Sequence, residues 1–155
     1  MPTFTALPTA IVQAYRAGAP DAFGNPPERA VSNGDGNPCR HCLRDVPKGA
    51  DMLVLAHKPF QGEHPYAEVG PIFLCADDCP RGGGADLPPI LTTSPDYLIK
   101  GYSTDDRIVY GTGAITASPD IQDRVATIFA DPDVAYIHVR SARNNCYQAR
   151  IDRND

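Results

Sequence analysis

Four of the five cysteines fall in two close pairs, Cys39-x2-Cys42 and Cys75-x3-Cys79. Two thiolates held in a turn can occupy adjacent corners of a tetrahedron, and a second such pair completes a four-sulfur site for zinc. Pro38 before the first pair and Pro80 after the second keep both segments in turns, as a metal knuckle requires. With all four thiolates bound, such a site is closed and hence structural. An open, catalytic site would exchange one cysteine for water, with His41, His57 or His64 as alternative ligands. Two other readings compete. Cys75, at the end of an apolar run, reads equally as a buried small hydrophobe, with Cys39 and Cys42 as unrelated thiols. Cys39-Arg-His-Cys42 also reads as a redox pair, its thiol activated by Arg40, His41 and Arg44, although no strand-then-helix pattern surrounds it.

A second constellation lies near the C-terminal end, where residues 134–141 and 146–152 read as a hairpin across 142–145. Strand side chains alternate, so Ala135, Ile137 and Val139 face one way and Tyr136, His138 and Arg140 the other. On the return strand the alternation groups Tyr147, Ala149 and Ile151 as the apolar set, and Cys146, Gln148 and Arg150 as the polar one. Matching apolar to apolar brings His138, Arg140, Cys146, Gln148 and Arg150 to one face. That suggests a catalytic reading: Cys146 as nucleophile, His138 as its base, Arg140 and Arg150 as ligand-binding anion clamps, and Asn144 and Asn145 as amide donors. The competing reading is a solvated sheet face on which arginine stems cover apolar surface. Elsewhere, Gly82 to Gly84 lacks the Lys-Ser/Thr of a phosphate loop, and Gly111-Thr-Gly113 marks a bulge or a close backbone approach. Asp77-Asp78 and Asp105-Asp106 read as turn acids.

The elements that must position these residues follow from the chain's punctuation. Residues 3–7 make a short first strand; Pro8 opens a helix with Ile11, Val12 and Tyr15 on one face, ended by Gly18. Residues 19–38 are loop with a short strand near 30–32. Residues 52–56 and 70–75 are apolar runs of strand length, joined as a long-looped hairpin. Residues 77–89 are irregular. Residues 97–102 and 107–115 read as two strands about the turn 103–106. Ser118-Pro119-Asp120 reads as an N-cap, a first-position proline and a favourably placed acid, with Ile121, Val125, Ile128 and Phe129 on the face that follows. The class is α+β, a mainly antiparallel sheet of about seven strands with two short helices, in a single domain over 1–155.

Composition agrees. Sixteen prolines and thirteen glycines exclude long helical architectures. A 155-residue chain that is 42% hydrophobic can bury a core without needing metal to fold. A net charge of −5 argues against sequence-independent binding to nucleic acid or to an anionic membrane. The opening MPTFTALPTAIVQAY has no basic n-region and is broken by Pro8, and no window approaches a membrane span. A cytoplasmic protein is therefore expected, its odd number of cysteines serving as thiols or metal ligands rather than a disulfide framework.

Pro38-Cys39-Arg40, the stretch from Pro65-Tyr66 to Gly70-Pro-Ile-Phe73, and Ala130 to His138 with Cys146-Tyr147 and Arg150-Ile-Asp-Arg153 resemble a bacterial family filed as domain of unknown function 1203. The resemblance runs over most of the chain. It carries no activity with it. It implies that the first Cys-Arg and the hairpin with its His and Cys belong to the common pattern, whereas Cys42, Cys75 and Cys79 belong to a subset; shared chemistry would then sit with Cys39, His138 and Cys146. Two functional readings result. One is a domain binding a small molecule or a protein, with structural zinc holding two irregular loops; the other is a thiol- or metal-dependent enzyme acting on a small anionic substrate.

Overall fold

The computed structural model describes residues 1–154. In chain order the described elements are β1 (Thr3–Thr5), α1 (Thr9–Arg16), β2 (Glu28–Val31), β3 (Asp51–His57), β4 (Gly70–Cys75) and β5 (Gly83–Gly84). They continue with β6 (Asp96–Tyr102), β7 (Ala114–Ala117), α2 (Ile121–Phe129), β8 (Tyr136–Ser141) and β9 (Tyr147–Asp152). The strands form two antiparallel sheets, one ordered β5-β1-β9-β8-β6-β7 and the other β2-β3-β4. The α+β class is as the punctuation implies, with nine strands rather than about seven among the described residues.

The larger sheet has two unlike faces, set by register. Phe4, Ile151, Ile137 and Gly101 form one cross-strand row, and Ala149, Val139 and Ile99 the next. Their apolar members point to one side and pack with Ile121, Val125, Ile128 and Phe129 of α2. Each of those helix side chains removed from water contributes roughly 1.5–3 kcal/mol, which is why a nine-residue helix persists here. The opposite face carries the rows Thr5, Arg150, His138, Lys100 and Asp152, Tyr136, Tyr102. The smaller sheet and α1 supply a second core around Val12, Leu53, Leu55, Ile72 and Leu74, into which the cysteine segments and Tyr147 also pack.

Several local expectations change. The strand over 107–115 is mostly loop: β7 begins at Ala114, and its pairing with β6 matches Asp96 to Ala117 and Ile99 to Ala114. The intervening segment folds back because the Thr112 hydroxyl accepts the Gly101 amide (2.9 Å) and the Val109 amide bonds the Gly101 carbonyl (2.9 Å). Ser118 does not cap α2; its hydroxyl donates to the Leu91 carbonyl, and a single 3-10 turn over Ser118–Asp120 leads into the helix. On α1, Val12 is fully buried but Ile11 is exposed. β5 lies in the stretch read as irregular, since two glycines carry no side-chain pattern for a strand to show.

Candidate metal centre and the adjoining cleft

The first cysteine pair sits in a tight loop. Pro38 bridges to Asp45, the Cys39 amide bonds the Arg44 carbonyl (2.9 Å), and the Leu43 amide bonds the Cys39 carbonyl (2.9 Å). The turn requires a left-handed residue straight after Cys42. Leu43 takes it at φ 57°, a strained conformation costing about 1–3 kcal/mol, offset because its side chain is completely buried. The second pair begins at the end of β4 with Cys75 and closes with Cys79 in the turn beyond.

The four sulfurs lie within 4.8 Å of one another, the only such cluster of three or more potential ligands among the described residues. Cys39 Sγ is 3.9 Å from Cys79 Sγ, and Cys42 Sγ is 4.0 Å from Cys75 Sγ. All five cysteines are free thiols. Around the sulfurs stand donors. The Cys75 amide reaches Cys39 Sγ (3.3 Å), and Arg16 Nη2 reaches Cys79 Sγ (3.2 Å) while its Nε holds the Cys75 carbonyl (3.0 Å). His41 Nδ1 lies 3.1 Å from Cys79 Sγ, and its Nε2 2.8 Å from the Thr9 hydroxyl. Burial lowers the His41 pKa and favours the neutral ring, which in its Nδ1–H tautomer donates to sulfur while Nε2 accepts from Thr9. His41 thus contacts the sulfur cluster without being one of its four clustered donors.

The electrostatics of the donor set favour a cation at its centre. Hydrogen bonds from the Cys42 and Cys75 thiols hold the Cys39 thiol well below the ordinary thiol range, while the same contacts push Cys42 and Cys75 up. Burial raises Cys79. Four sulfurs this close cannot all ionise against one another; a divalent cation among them relieves that conflict, and Arg16 offsets part of the remaining negative charge.

The knuckle also ties the two sheets together. Arg40, 3% exposed, donates Nε to the Tyr147 carbonyl in β9 (2.7 Å) and stacks over Phe73 of β4. Its amide bonds the Phe73 carbonyl (3.1 Å), and its carbonyl accepts the Leu7 amide (3.0 Å). Leu7 and Tyr147 are in turn walls of a cleft of about 430 Å³ between the β1–α1 connection, the loop after β3 and the polar face of the large sheet. The residue at its floor is His138. The ring is completely buried, boxed by Phe60, Tyr102, Tyr136 and Tyr147 with centroids 4.9–5.0 Å away. Neither ring nitrogen has a hydrogen-bond partner among the described residues. Leaving such a group unpartnered costs about 1–3 kcal/mol. Burial, then the nearby Arg140, Arg150 and Lys100, keeps the imidazole neutral. His57, at the end of β3, also lines the cleft; burial lowers its pKa to about 4, and its Nδ1 is 3.1 Å from the Tyr15 hydroxyl.

The structure gathers some of the residues singled out in the sequence and separates others. Cys39, Cys42, Cys75 and Cys79 come together. His138 and Arg150 are directly opposed and share the cleft. Arg140 is buried beside them but outside the cleft lining, with Nη1 on the Asn145 carbonyl (3.1 Å) and near Glu68 (3.6 Å). Cys146 does not join His138. A bulge between Val139 and Arg140 pairs Val139 with Ala149 but Arg140 with Tyr147, which inverts the alternation along the return strand. Tyr147 therefore turns to the His138 face. Cys146 stays in the turn, its thiol toward the Asn144 carbonyl at 3.7 Å, so no hydrogen-bonded Cys–His dyad forms. Sequence reasoning missed Arg16 and Phe60, named His57 only as an alternative metal ligand, and put Tyr147 on the opposite face of the sheet. Only the bulge brings Tyr147 in, and Arg16 meets Cys79 through a contact between distant segments; neither leaves a local sequence signal.

A family model described as protein of unknown function (DUF1203) matches residues 36–153, from the loop before the first cysteine pair to the end of the terminal hairpin. No curated protein and no solved structure matches the chain.

Proposed function

For a chain that belongs to the DUF1203 family, we propose a cytoplasmic small-molecule-binding domain in which a closed four-thiolate zinc site clamps one wall of the binding cleft. The observation that carries the metal is the sulfur geometry. Zinc–sulfur bonds of about 2.3 Å at tetrahedral angles place sulfurs about 3.8 Å apart, and two of the approaches here are 3.9 and 4.0 Å. Four thiolates leave no coordination position for water, so the role is structural. The clamp acts through Arg40, which sits between two of the ligands and holds both Leu7 and Tyr147 at the cleft. Free thiols throughout suit a reducing compartment. Cys146 makes no hydrogen bond to His138 among the described residues, and the proposed role is accordingly binding rather than that of a thiol nucleophile.

Protein purified without added metal should carry about one zinc per chain by elemental analysis, and removal by a chelator should speed amide exchange at Leu7 and along the 39–45 loop. A folded, metal-free protein with all its thiols open to titration would refute the site, and stoichiometric iron would refute the metal.

A further inference from the structure

The cleft has a chemistry of its own, and the reading below rests on its being a binding site. Its two carboxylates are already engaged: Asp106 accepts from the Tyr136 hydroxyl (2.7 Å), and Asp152 from the Thr5 hydroxyl (2.6 Å) and Arg150 Nε (2.7 Å). Three cations, Lys58, Arg81 and Arg150, share the lining with them. Arg150 is held over the Tyr136 ring at 3.9 Å, which presents its guanidinium beside the directly opposed His138. Leu7, Ile11, Phe60 and Tyr147 supply apolar wall. The lining as a whole thus carries three cations to two carboxylates, together with a completely buried imidazole whose nitrogens bond nothing else among the described residues.

We propose that the cleft binds a small monocarboxylate with an apolar body, its carboxylate at His138 and Arg150 and its body against Phe60, Leu7 and Tyr147. A neutral imidazole offers one N–H to a carboxylate oxygen, and Arg150 offers the charge. The volume suits a ligand of ordinary metabolite size, and the lining joins an apolar wall to a set of charged groups and two histidines. A single charged end also suits the division of the cleft, since an inorganic anion would leave the apolar wall unused and a neutral molecule would leave the net positive charge of the lining unmatched.

The test uses the whole chain, metal-loaded, and NMR titration, following the backbone amides of Leu7 and Tyr147 and the His138 ring nitrogens. The probes are benzoate and hexanoate, set against benzamide, benzyl alcohol, benzylamine and inorganic phosphate. Benzoate or hexanoate should move these signals saturably, at least ten-fold more tightly than the neutral and cationic probes. Arg150→Gln should weaken carboxylate binding ten-fold or more while leaving the benzyl alcohol response unchanged; Arg29→Gln, on β2, is the control. Arg150 is partly exposed, so its variant tests the proposal even where His138→Asn fails to fold. If benzyl alcohol, benzylamine or phosphate moves the cleft signals as strongly as benzoate, the carboxylate assignment falls and the binding domain stands. If no probe moves them, both fall. Benzoate shifts that spare the His138 nitrogens would show the imidazole sealed behind its aromatic neighbours and overturn its part.

Discussion

Gly82 stands where the turn after the second cysteine pair passes the knuckle, and replacing it with alanine tests how tightly these segments are locked. A Cβ built there would lie 2.2 Å from the Cys42 carbonyl oxygen, 2.7 Å from its carbon and 3.1 Å from Leu43 Cβ. The first contact is about 1 Å shorter than van der Waals packing allows, and the obstacle is backbone rather than a mobile side-chain end. Relief requires the Gly82 amide to withdraw from the His41 carbonyl it bonds at 2.8 Å, or Cys42 to move within its knuckle. Losing the hydrogen bond costs about 1 kcal/mol, and overpacking adds about 1–3 kcal/mol. Gly82→Ala should therefore destabilise the metal-loaded protein by about 2–4 kcal/mol, a fall of roughly 5–15 °C in Tm for a chain this long. Gly70→Ala in β4, where a Cβ meets nothing within 4 Å, should stay within about 0.5 kcal/mol of wild type. Urea unfolding gives both values, and chelator competition on the same samples should show weakened zinc retention for Gly82→Ala alone. Equal stabilities of the two variants would mean that the knuckle yields freely, and the argument for a clamp would be lost.

Other consequences are open to direct measurement. Arg16→Met removes a donor to Cys79 Sγ and to the Cys75 carbonyl; zinc affinity, read by competition with a chromophoric chelator, should fall about 10-fold or more while binding stays one-to-one. With metal bound, Cys146 should be the one thiol that reacts promptly with a disulfide reagent, with the rest of the five appearing only after chelation; prompt reaction of several thiols counts against the site. Cys146→Ser should leave stability within about 0.5 kcal/mol, as its thiol makes only a 3.7 Å contact with Asn144. His57 is held neutral in the fold, with its pKa lowered to about 4 by burial and, next, by Arg40. The unfolded chain takes up that proton near pH 6.5 and the folded chain does not, so stability is full above 6.5 and declines as pH falls toward 4, by up to about 3 kcal/mol. Acid also strips a thiolate site, so the measurement is the difference between wild type and His57→Gln, which should show the shallower decline between pH 7 and 5.

Local signals carried much of this architecture. The apolar runs at β3, β4, β6 and β8 and the spacing of Ile121, Val125, Ile128 and Phe129 report burial, on one face of α2 and on both faces of β8, and burial is what such short elements need to form. The cysteine spacing likewise pointed to one four-sulfur site because ligands near in sequence can share a turn whatever surrounds them. The polar face was less legible. Strict alternation placed Cys146 on the His138 face and Tyr147 on the opposite, apolar one, and one bulged residue in β9 reversed both assignments. Side-chain parity along a strand survives only while the ladder is regular, and a bulge is chosen by the fit of partner strands rather than by either strand's own residues. The cleft is decided at the same level. Arg150 and His138 oppose each other through register, Phe60 arrives from the loop after β3, and Leu7 is fixed by the carbonyl of Arg40. By itself the sequence determined which residues could bind metal and which would be buried; tertiary structure decided which side chains meet, because contacts between distant segments depend on register and packing that no local pattern records.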